Sequence, residues 1–161
     1  QASLTGHLVF STLHTNDAPS SVLRLTDLGV ESFLLTATIE AIVAQRLVRR
    51  ICPLCKEEFD PSPDQLMELQ LKPEDVESRT FYRGAGCDKC HGGYKGRMAI
   101  FEIMTLDDEL RNLIVEQAST SVLRAECRRR GMRTLRESGL LALYEGQTTL
   151  DEVVRETILD E

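Results

Sequence analysis

Cys52-Pro-Leu-Cys55 and Cys87-Asp-Lys-Cys90 are two Cys-x-x-Cys pairs that stand at the two ends of one stretch of the chain. Two residues between cysteines allow a tight turn to direct both sulfurs at one ion, and two such turns complete a tetrahedral site with no open position. The spacing therefore predicts a structural zinc site with these four cysteines as ligands. Because bound metal contributes folding free energy, we expect removal of zinc to unfold this stretch first.

Two other uses of the four cysteines stay open at this stage. One is a disulfide framework, although Cys127 would then be left as an odd thiol. The other is a redox Cys-x-x-Cys. His91 directly follows Cys90 and is interpreted as a bystander, because consecutive side chains rarely converge on one ion. Cys127 is interpreted as a packing residue.

The composition describes an acidic chain that is rich in aliphatic residues. Of its 161 residues 42% are hydrophobic but only 5% are aromatic, which favours a helix-rich core of Leu, Ile, Val and Ala. This length allows one domain or two small units. A net charge of −7 suits phosphate backbones poorly, so we expect no nucleic-acid partner. No apolar run reaches the roughly 18 residues that span a bilayer.

The first fifty residues predict a buried strand followed by two helices. The apolar run from His7 to His14 is bounded by turn residues, which indicates a strand. His14 would lie at the carboxyl edge of the sheet, where ligands bind in open α/β folds, although spacing alone favours a role in capping the loop. Capping residues begin a helix from about Ala18 to Leu28. A second, buried helix is predicted from Ser32 to about Leu47, because apolar residues would lie on nearly all of its sides.

Basic and apolar residues alternate from Gln45 to Ile51. The cations could be directed at phosphate or at a neighbouring subunit, or they could form a solvated strand edge. Arg46 is the candidate functional member, because a charge within a buried segment must find a partner. In contrast, Arg128-Arg129-Arg130 lies at a predicted helix C-terminus, where positive charge complements the helix dipole.

The remainder of the chain predicts one more strand and several helices. A short helix from Gln65 to about Leu71 lies inside the four-cysteine stretch, and a strand from Met98 to Met104 follows this stretch. Four helices complete the chain, and their start signals lie at Thr105–Asp108, Ser119, Thr134 and Thr149.

The stretch Thr5-Gly-His-Leu-Val-Phe-Ser-Thr-Leu-His-Thr-Asn-Asp17 resembles the histidine box of secretion ATPases, the AAA-like family that drives type II secretion and type IV pilus assembly. Further matching segments follow in the same order: Ala44 to Arg50, the two cysteine pairs, Tyr94-Lys-Gly-Arg97, and the tail from Gly131 to Thr149. The resemblance covers essentially the whole sequence. Pilus retraction ATPases of this superfamily generally lack the four cysteines, so assembly or secretion is favoured over retraction.

The resemblance implies an α/β fold: the C-terminal part of a RecA-like P-loop NTPase domain with a four-cysteine zinc insert and an all-helical C-terminal subdomain. Residues 1–50 would belong to the ATPase core, 51–97 to the zinc insert, and 98–161 to a strand and the helical subdomain. The chain contains no Gly-x-x-x-x-Gly-Lys-[Ser/Thr], so the Walker A and Walker B motifs would precede it. We therefore expect a fragment of a longer ATPase that is inactive alone.

The resemblance also implies roles for individual residues and a set of partners. His14 and His7 would sense the nucleotide phosphate, while Thr12, Thr15 and Arg46 would assist in nucleotide binding. The longer protein would use ATP and Mg²⁺, form a cytoplasmic homo-hexamer and push on inner-membrane platform proteins, which would assemble a pseudopilus for type II secretion. Type IV pilus assembly is the alternative function. A self-standing zinc-ribbon interaction module is the alternative of another class.

Overall fold

The computed structural model describes residues 2–157 and has a mixed α/β fold. A short 3-10 turn (Ser3–Thr5) precedes the regular elements. The helices are α1 (Ala18–Asp27), α2 (Ser32–Thr38), α3 (Pro63–Glu68), α4 (Pro73–Val76), α5 (Asp108–Val115), α6 (Thr120–Arg129), α7 (Leu135–Tyr144) and α8 (Leu150–Glu156). The strands are β1 (Ala41–Ile51), β2 (Lys56–Phe59), β3 (Phe81–Gly84) and β4 (Tyr94–Thr105). Strand β1 pairs with β4, and β2 pairs with β3 in antiparallel register.

The described residues form two compact units, each made of two separate segments of the chain. Residues 2–44 and 102–134 form the first unit, and residues 45–101 and 135–157 form the second. The expected division of the protein into 1–50, 51–97 and 98–161 stays a prediction. Among the described residues, no helix combines the length and the apolar character that crossing a bilayer would require.

The first unit packs α1, α2, α5 and α6 around an aliphatic core. The Asp17 side chain caps α1 by accepting the Ser20 N–H at 2.8 Å, and Asp107 and Ser119 cap α5 and α6 in the same manner. Gly29 follows α1 with a positive φ of 87°, a conformation that glycine adopts without steric cost. The buried members of this core are Ala18, Val22, Leu35, Met104, Leu106, Leu110, Ile114, Leu123 and Cys127.

The second unit joins the four-cysteine stretch to the last two helices. Ser62 and Gln65 form a capping box at the start of α3, and Thr149 caps α8. Side chains from α3, α4 and β3 pack with side chains from α7 and α8 in one apolar cluster. Its buried members are Leu66, Leu69, Val76, Phe81, Leu143, Leu150 and Val153. The segment between the cysteine pairs therefore shares its core with the C-terminal helices.

The predicted buried strand from His7 to His14 is wrong for the described residues. This stretch has no regular secondary structure, and its apolar side chains face solvent, with Leu8 81% and Phe10 88% exposed. A strand is held by hydrogen bonds to a neighbouring strand, and none of the four described strands pairs with this stretch. The segment after it does form the predicted helix α1.

The predicted helix from Ser32 to about Leu47 is correct only in its first half. Helix α2 ends at Thr38, Ile39 is extended with φ −89° and ψ 125°, and β1 begins at Ala41. Along β1, residues 42, 44 and 46 are partly buried while residues 41, 43, 45 and 47 are exposed. This period of two belongs to a strand, and the β-branched residues Ile42 and Val43 favour that conformation. Apolar residues on all sides concealed the alternation in the sequence.

Candidate metal centre

The hairpin of β2 and β3 brings the two cysteine pairs together. Cys55 directly precedes β2, Cys87 follows shortly after β3, and Lys56 lies opposite Gly84 in the antiparallel register. Each Cys-x-x-Cys pair closes a tight turn, in which the second cysteine donates its N–H to the carbonyl of the first at 3.3 to 3.4 Å. The sequence between the pairs, although long, thus places its two ends side by side.

Two glycines allow the backbones of the site to approach closely. A Cβ atom added at Gly84 would overlap the carbonyl group of Gly93, and one added at Gly93 would overlap Gly84. The Gly93 carbonyl also accepts the N–H of Cys52 at 2.8 Å. This contact connects the first cysteine turn to the segment that follows the second.

The four cysteine sulfurs have the spacing of a tetrahedral site. All four Sγ atoms lie within 4.8 Å of one another, with Cys52 and Cys87 4.0 Å apart and Cys55 and Cys90 3.8 Å apart. Zinc–sulfur bonds of about 2.3 Å in a tetrahedron imply sulfur–sulfur edges of about 3.8 Å. A disulfide would require about 2.05 Å, and all five cysteines are free thiols. The residues therefore fit a tetrahedral metal ion and do not form a disulfide framework.

The backbone around the cluster affects how the sulfurs ionise. Burial raises the pKa of Cys55 to about 12, against the opposing effect of a hydrogen bond from the Gly86 N–H at 3.3 Å. The N–H of Cys87 lies 3.2 Å from Cys90 Sγ and lowers the pKa of that thiol to about 7. A cation that binds all four sulfurs as thiolates must therefore displace protons, so its affinity falls as the pH falls.

His91 lies next to the cluster but outside the group of potential ligands. That group, searched among the described residues, consists of the four cysteines. The backbone of His91 instead forms an isolated bridge with Tyr94. That His91 is a bystander stays a prediction.

An ion pair between the partly exposed Arg49 and a buried carboxylate was not predicted from the sequence. The Glu152 side chain is 1% exposed and accepts hydrogen bonds from the Arg49 backbone N–H at 2.8 Å and from its guanidinium at 2.7 and 2.9 Å. Burial works to raise the pKa of Glu152, but the hydrogen bonds from Arg49 outweigh it and hold the pKa below its usual value. No sequence signal connects two residues that are 103 positions apart.

Further contacts fasten the start of α8 to residues near the cysteines. The Arg49 guanidinium lies 3.9 Å from the centre of the Tyr94 ring, whose hydroxyl is 2.8 Å from the Thr149 hydroxyl at the helix cap. The Ile51 N–H donates to the Gln147 carbonyl at 2.9 Å. The loop before α8 is thus held against the end of β1, directly before the first cysteine.

The predicted nucleotide-binding residues are arranged differently from the cysteines. His14 and Thr12 are exposed in the irregular segment. His7 Nδ1 forms a hydrogen bond with the Thr5 hydroxyl at 2.9 Å. The Thr15 hydroxyl forms one with the Ser21 hydroxyl at 2.7 Å. The partly buried Arg46 lies on β1, in the second unit, whereas the other four residues belong to the first unit. Among the predicted site residues that the structure describes, the four cysteines are the ones whose functional atoms form a compact cluster.

The turn that follows His14 is fixed by two carboxylates whose role was not predicted. Asp17 Oδ2 accepts from Arg124 Nε at 3.0 Å, and Glu102 Oε1 accepts the Ala18 N–H at 2.8 Å. Burial works to raise the pKa of Asp17, but hydrogen bonds from Ser20 and Arg124 hold it below the usual value. The available sequence signal was a carboxylate within the apolar strand from Met98 to Met104.

Both the sequence and the fold of this chain resemble those of known proteins. The family described as "Type II/IV secretion system protein" matches residues 1–155, and the chain belongs to this family. Its fold is similar to that of the pilus retraction motor PilT, solved with bound ADP, with a TM-score of 0.60 over 99% of this chain and 36% of that chain at 20% identity.

Curated relatives come from both branches of the family. The chain is 47% identical to the type IV pilus assembly ATPase PilB of Thermus thermophilus, over 98% of this chain and 18% of that protein. It is 43% identical to the type II secretion system ATPase E of Vibrio cholerae, over 98% of this chain and 31% of that protein. The chain thus spans less than a third of the length of these relatives.

Proposed function

We propose that this chain is part of a longer hexameric ATPase that powers type II protein secretion through pseudopilus assembly. The observation that carries the proposal is the family match over residues 1–155, together with relatives that are named as secretion or pilus ATPases. Residues 1–50 would complete a RecA-like P-loop domain whose Walker A and Walker B motifs lie elsewhere in that protein. The chain alone would then hydrolyse no ATP, since the lysine and backbone cradle for phosphate are missing from it.

Type IV pilus assembly is a second candidate function of the same motor. Identities of 47% to a pilus assembly ATPase and 43% to a type II secretion ATPase support both uses of the family fold. A self-standing zinc-ribbon module is disfavoured, because the family match extends far beyond residues 51–97 on both sides. Complementation of a secretion-deficient and a pilus-deficient strain by the longer protein distinguishes the two motor functions.

The four cysteines would hold one structural zinc ion. The support is a closed set of sulfurs at tetrahedral spacing, which leaves no position for a substrate. We expect about one zinc ion per purified chain by elemental analysis, and loss of that zinc in Cys87→Ser. Cys127→Ala is the matched control: this cysteine is 2% exposed in the other unit and should not affect zinc content. Zinc-free wild-type protein, or iron in place of zinc, would contradict the assignment.

His14 and His7 would sense the nucleotide phosphate, assisted by Thr12, Thr15 and Arg46. The exposed side chain of His14 in an irregular segment is available to a ligand without rearrangement of the core. In the longer ATPase we expect His14→Ala to lower kcat on the order of 100-fold, as removal of a charge-stabilising donor does elsewhere. The fold should be unaffected, because no core contact is removed.

The control for this experiment is His91→Ala, which removes another exposed imidazole outside the proposed nucleotide site. It should retain the wild-type kcat. An unchanged turnover in His14→Ala would remove His14 from the mechanism and leave the zinc assignment intact. Proposed partners are five further copies of the longer protein and the inner-membrane platform proteins, with the motor on the cytoplasmic face. Native mass spectrometry with ATP analogues and Mg²⁺ tests the hexamer.

A further inference from the structure

Strand β4 buries a carboxylate and exposes large apolar side chains. Glu102 is 4% exposed, whereas its neighbours Phe101 and Ile103 are 42% and 53% exposed. Ile100 and Met104, two positions away on either side, are 2% and 1% exposed, so Glu102 lies on the buried face of the strand between two apolar residues. Burying a carboxylate is costly unless it is well paired, so its position in this apolar row indicates that Glu102 is kept for its contacts. Such departures from hydrophobic patterning are expected at functional positions.

The buried carboxylate of Glu102 contacts the first residue of α1. Its Oε1 accepts the Ala18 N–H at 2.8 Å, a contact between residues 84 positions apart. Pro19 has no N–H, and the Ser20 N–H donates to Asp17 Oδ1 at 2.8 Å. The donors of the first three positions of α1 are therefore used within the chain. Consequently, this helix start does not present those N–H groups to an anion.

The same turn is held from a second direction by α6. Arg124 Nε donates to Asp17 Oδ2 at 3.0 Å, and the Asp17 side chain is therefore shared between the cap of α1 and this ion pair. The Thr15 hydroxyl is 2.7 Å from that of Ser21, inside α1. The segment from Thr15 to Ala18, directly after His14, is thus the point at which the irregular stretch becomes fixed.

We propose that Glu102 is a positioning residue for nucleotide sensing. By accepting the Ala18 N–H, it fixes the position at which the segment with His14 and Thr15 enters α1. This inference rests on the proposed function, since it assigns Glu102 an effect on turnover that acts through His14. Glu102 does not touch the nucleotide. Its carboxylate instead fixes the end of the sensing segment relative to β4.

The test compares Glu102→Met and Glu102→Gln in the longer ATPase. Methionine has similar length but no acceptor, whereas glutamine retains an oxygen that can accept the Ala18 N–H. We expect Glu102→Met to lower kcat about tenfold or more with the KM for ATP within about twofold, because small displacements of reacting groups reduce the rate of the chemical step. Glu102→Gln should restore kcat to within about threefold of wild type.

Glu152→Met is the matched control, because it removes a buried glutamate of the second unit. At equal loss of thermal stability, it should leave kcat within about twofold of wild type. Hydrogen exchange of the Ala18 amide in the 161-residue chain gives an independent readout, with faster exchange in Glu102→Met and slow exchange in Glu102→Gln.

Three results would overturn the inference: unchanged kcat in folded Glu102→Met, an equal loss of kcat in Glu152→Met, or slow Ala18 exchange in Glu102→Met. If Glu102→Met does not fold, a Glu102→Gln kcat outside the threefold range while Ala18 exchange stays slow would also overturn it. The outcome is separable from that of the proposed function. A loss of turnover in His14→Ala with normal turnover in Glu102→Met refutes only the positioning role, whereas normal turnover in His14→Ala refutes the sensing site itself.

Discussion

The stretch from Cys52 to Cys90 and the stretch from His7 to His14 both carry conspicuous sequence motifs. The first forms its predicted cluster, whereas the second does not form its predicted strand. The four cysteine sulfurs lie within 4.8 Å of one another, held by a hairpin and two tight turns. The histidine stretch has no regular structure, and its largest apolar side chain, Phe10, is 88% exposed.

The difference reflects where each region finds its contacts. The cysteine turns are local, and the β2–β3 pairing that unites them is made by residues that lie between them in sequence. A buried strand depends on other elements, because neighbouring strands must pair with its backbone and other side chains must cover both of its faces. If this explanation is correct, perturbations of the two regions should change the free energy of unfolding by very different amounts.

The largest expected effect is that of metal removal. Chelation of zinc should lower the free energy of unfolding of the second unit by several kcal/mol, because structural zinc in small domains is bound with on the order of 10 kcal/mol. Hydrogen exchange should accelerate in residues 45–101 and 135–157 and remain slow in α1, α5 and α6 of the first unit. Equal acceleration in both units, or none, would contradict a metal-dependent second unit.

Loss of the ion pair at the buried Glu152 carboxylate should be the next largest effect. We expect Glu152→Ala to lower the free energy of unfolding by about 1–3 kcal/mol, because the Arg49 backbone N–H loses its acceptor while the guanidinium, on a side chain that is 42% exposed, can bind water instead. Urea unfolding of the zinc-loaded chain measures this change. The surface pair of Arg83 and Glu57 provides a control, and Glu57→Ala should change stability by less than about 1 kcal/mol.

A smaller effect is expected from acid at the end of the histidine stretch. Because the pKa of Asp17 is lower in the folded chain than its usual value of 3.8, its stabilising contribution is present above that value and is lost as the pH falls through the folded pKa. Hydrogen exchange in α1 should accelerate over this acidic range. Asp17→Asn should make that acceleration shallower, and an identical pH profile in this variant would exclude Asp17 as the cause.

The smallest effect is predicted within the histidine stretch itself. Phe10→Ala should change the free energy of unfolding of the chain by less than about 0.5 kcal/mol, because an exposed side chain loses little packing when truncated. The same substitution at Phe81, which is buried in the second unit, should cost about 3–5 kcal/mol. Comparable losses at both positions, measured by urea unfolding, would show that the two regions do not differ in this respect.

Features that depend on neighbouring residues were predicted well from the sequence. The caps at Asp17, Ser119 and Thr149 and the four-cysteine cluster all follow from short-range spacing. The end of α2 was missed, because residues 39–47 are apolar enough to suit a buried helix, and only pairing of β1 with β4 decides for a strand.

Buried polar contacts could not be predicted, for a related reason. The sequence places Glu102 within an apolar strand and Glu152 near the start of a helix. Their partners, Ala18 and Arg49, are 84 and 103 positions away, and hydrophobic periodicity carries no information about such pairs.

The core that the segment between the cysteine pairs shares with α7 and α8 limits how the protein can be recombined. An exchange of residues 51–97 alone between family members would set foreign counterparts of Leu66 and Phe81 against native Leu143 and Val153. Mismatched volumes at such positions leave cavities or overpacking, each with a stability penalty. Chimeras that exchange residues 45–101 together with 135–157 would keep this packing intact. The unit that can be exchanged between family members therefore consists of two separate segments of the sequence.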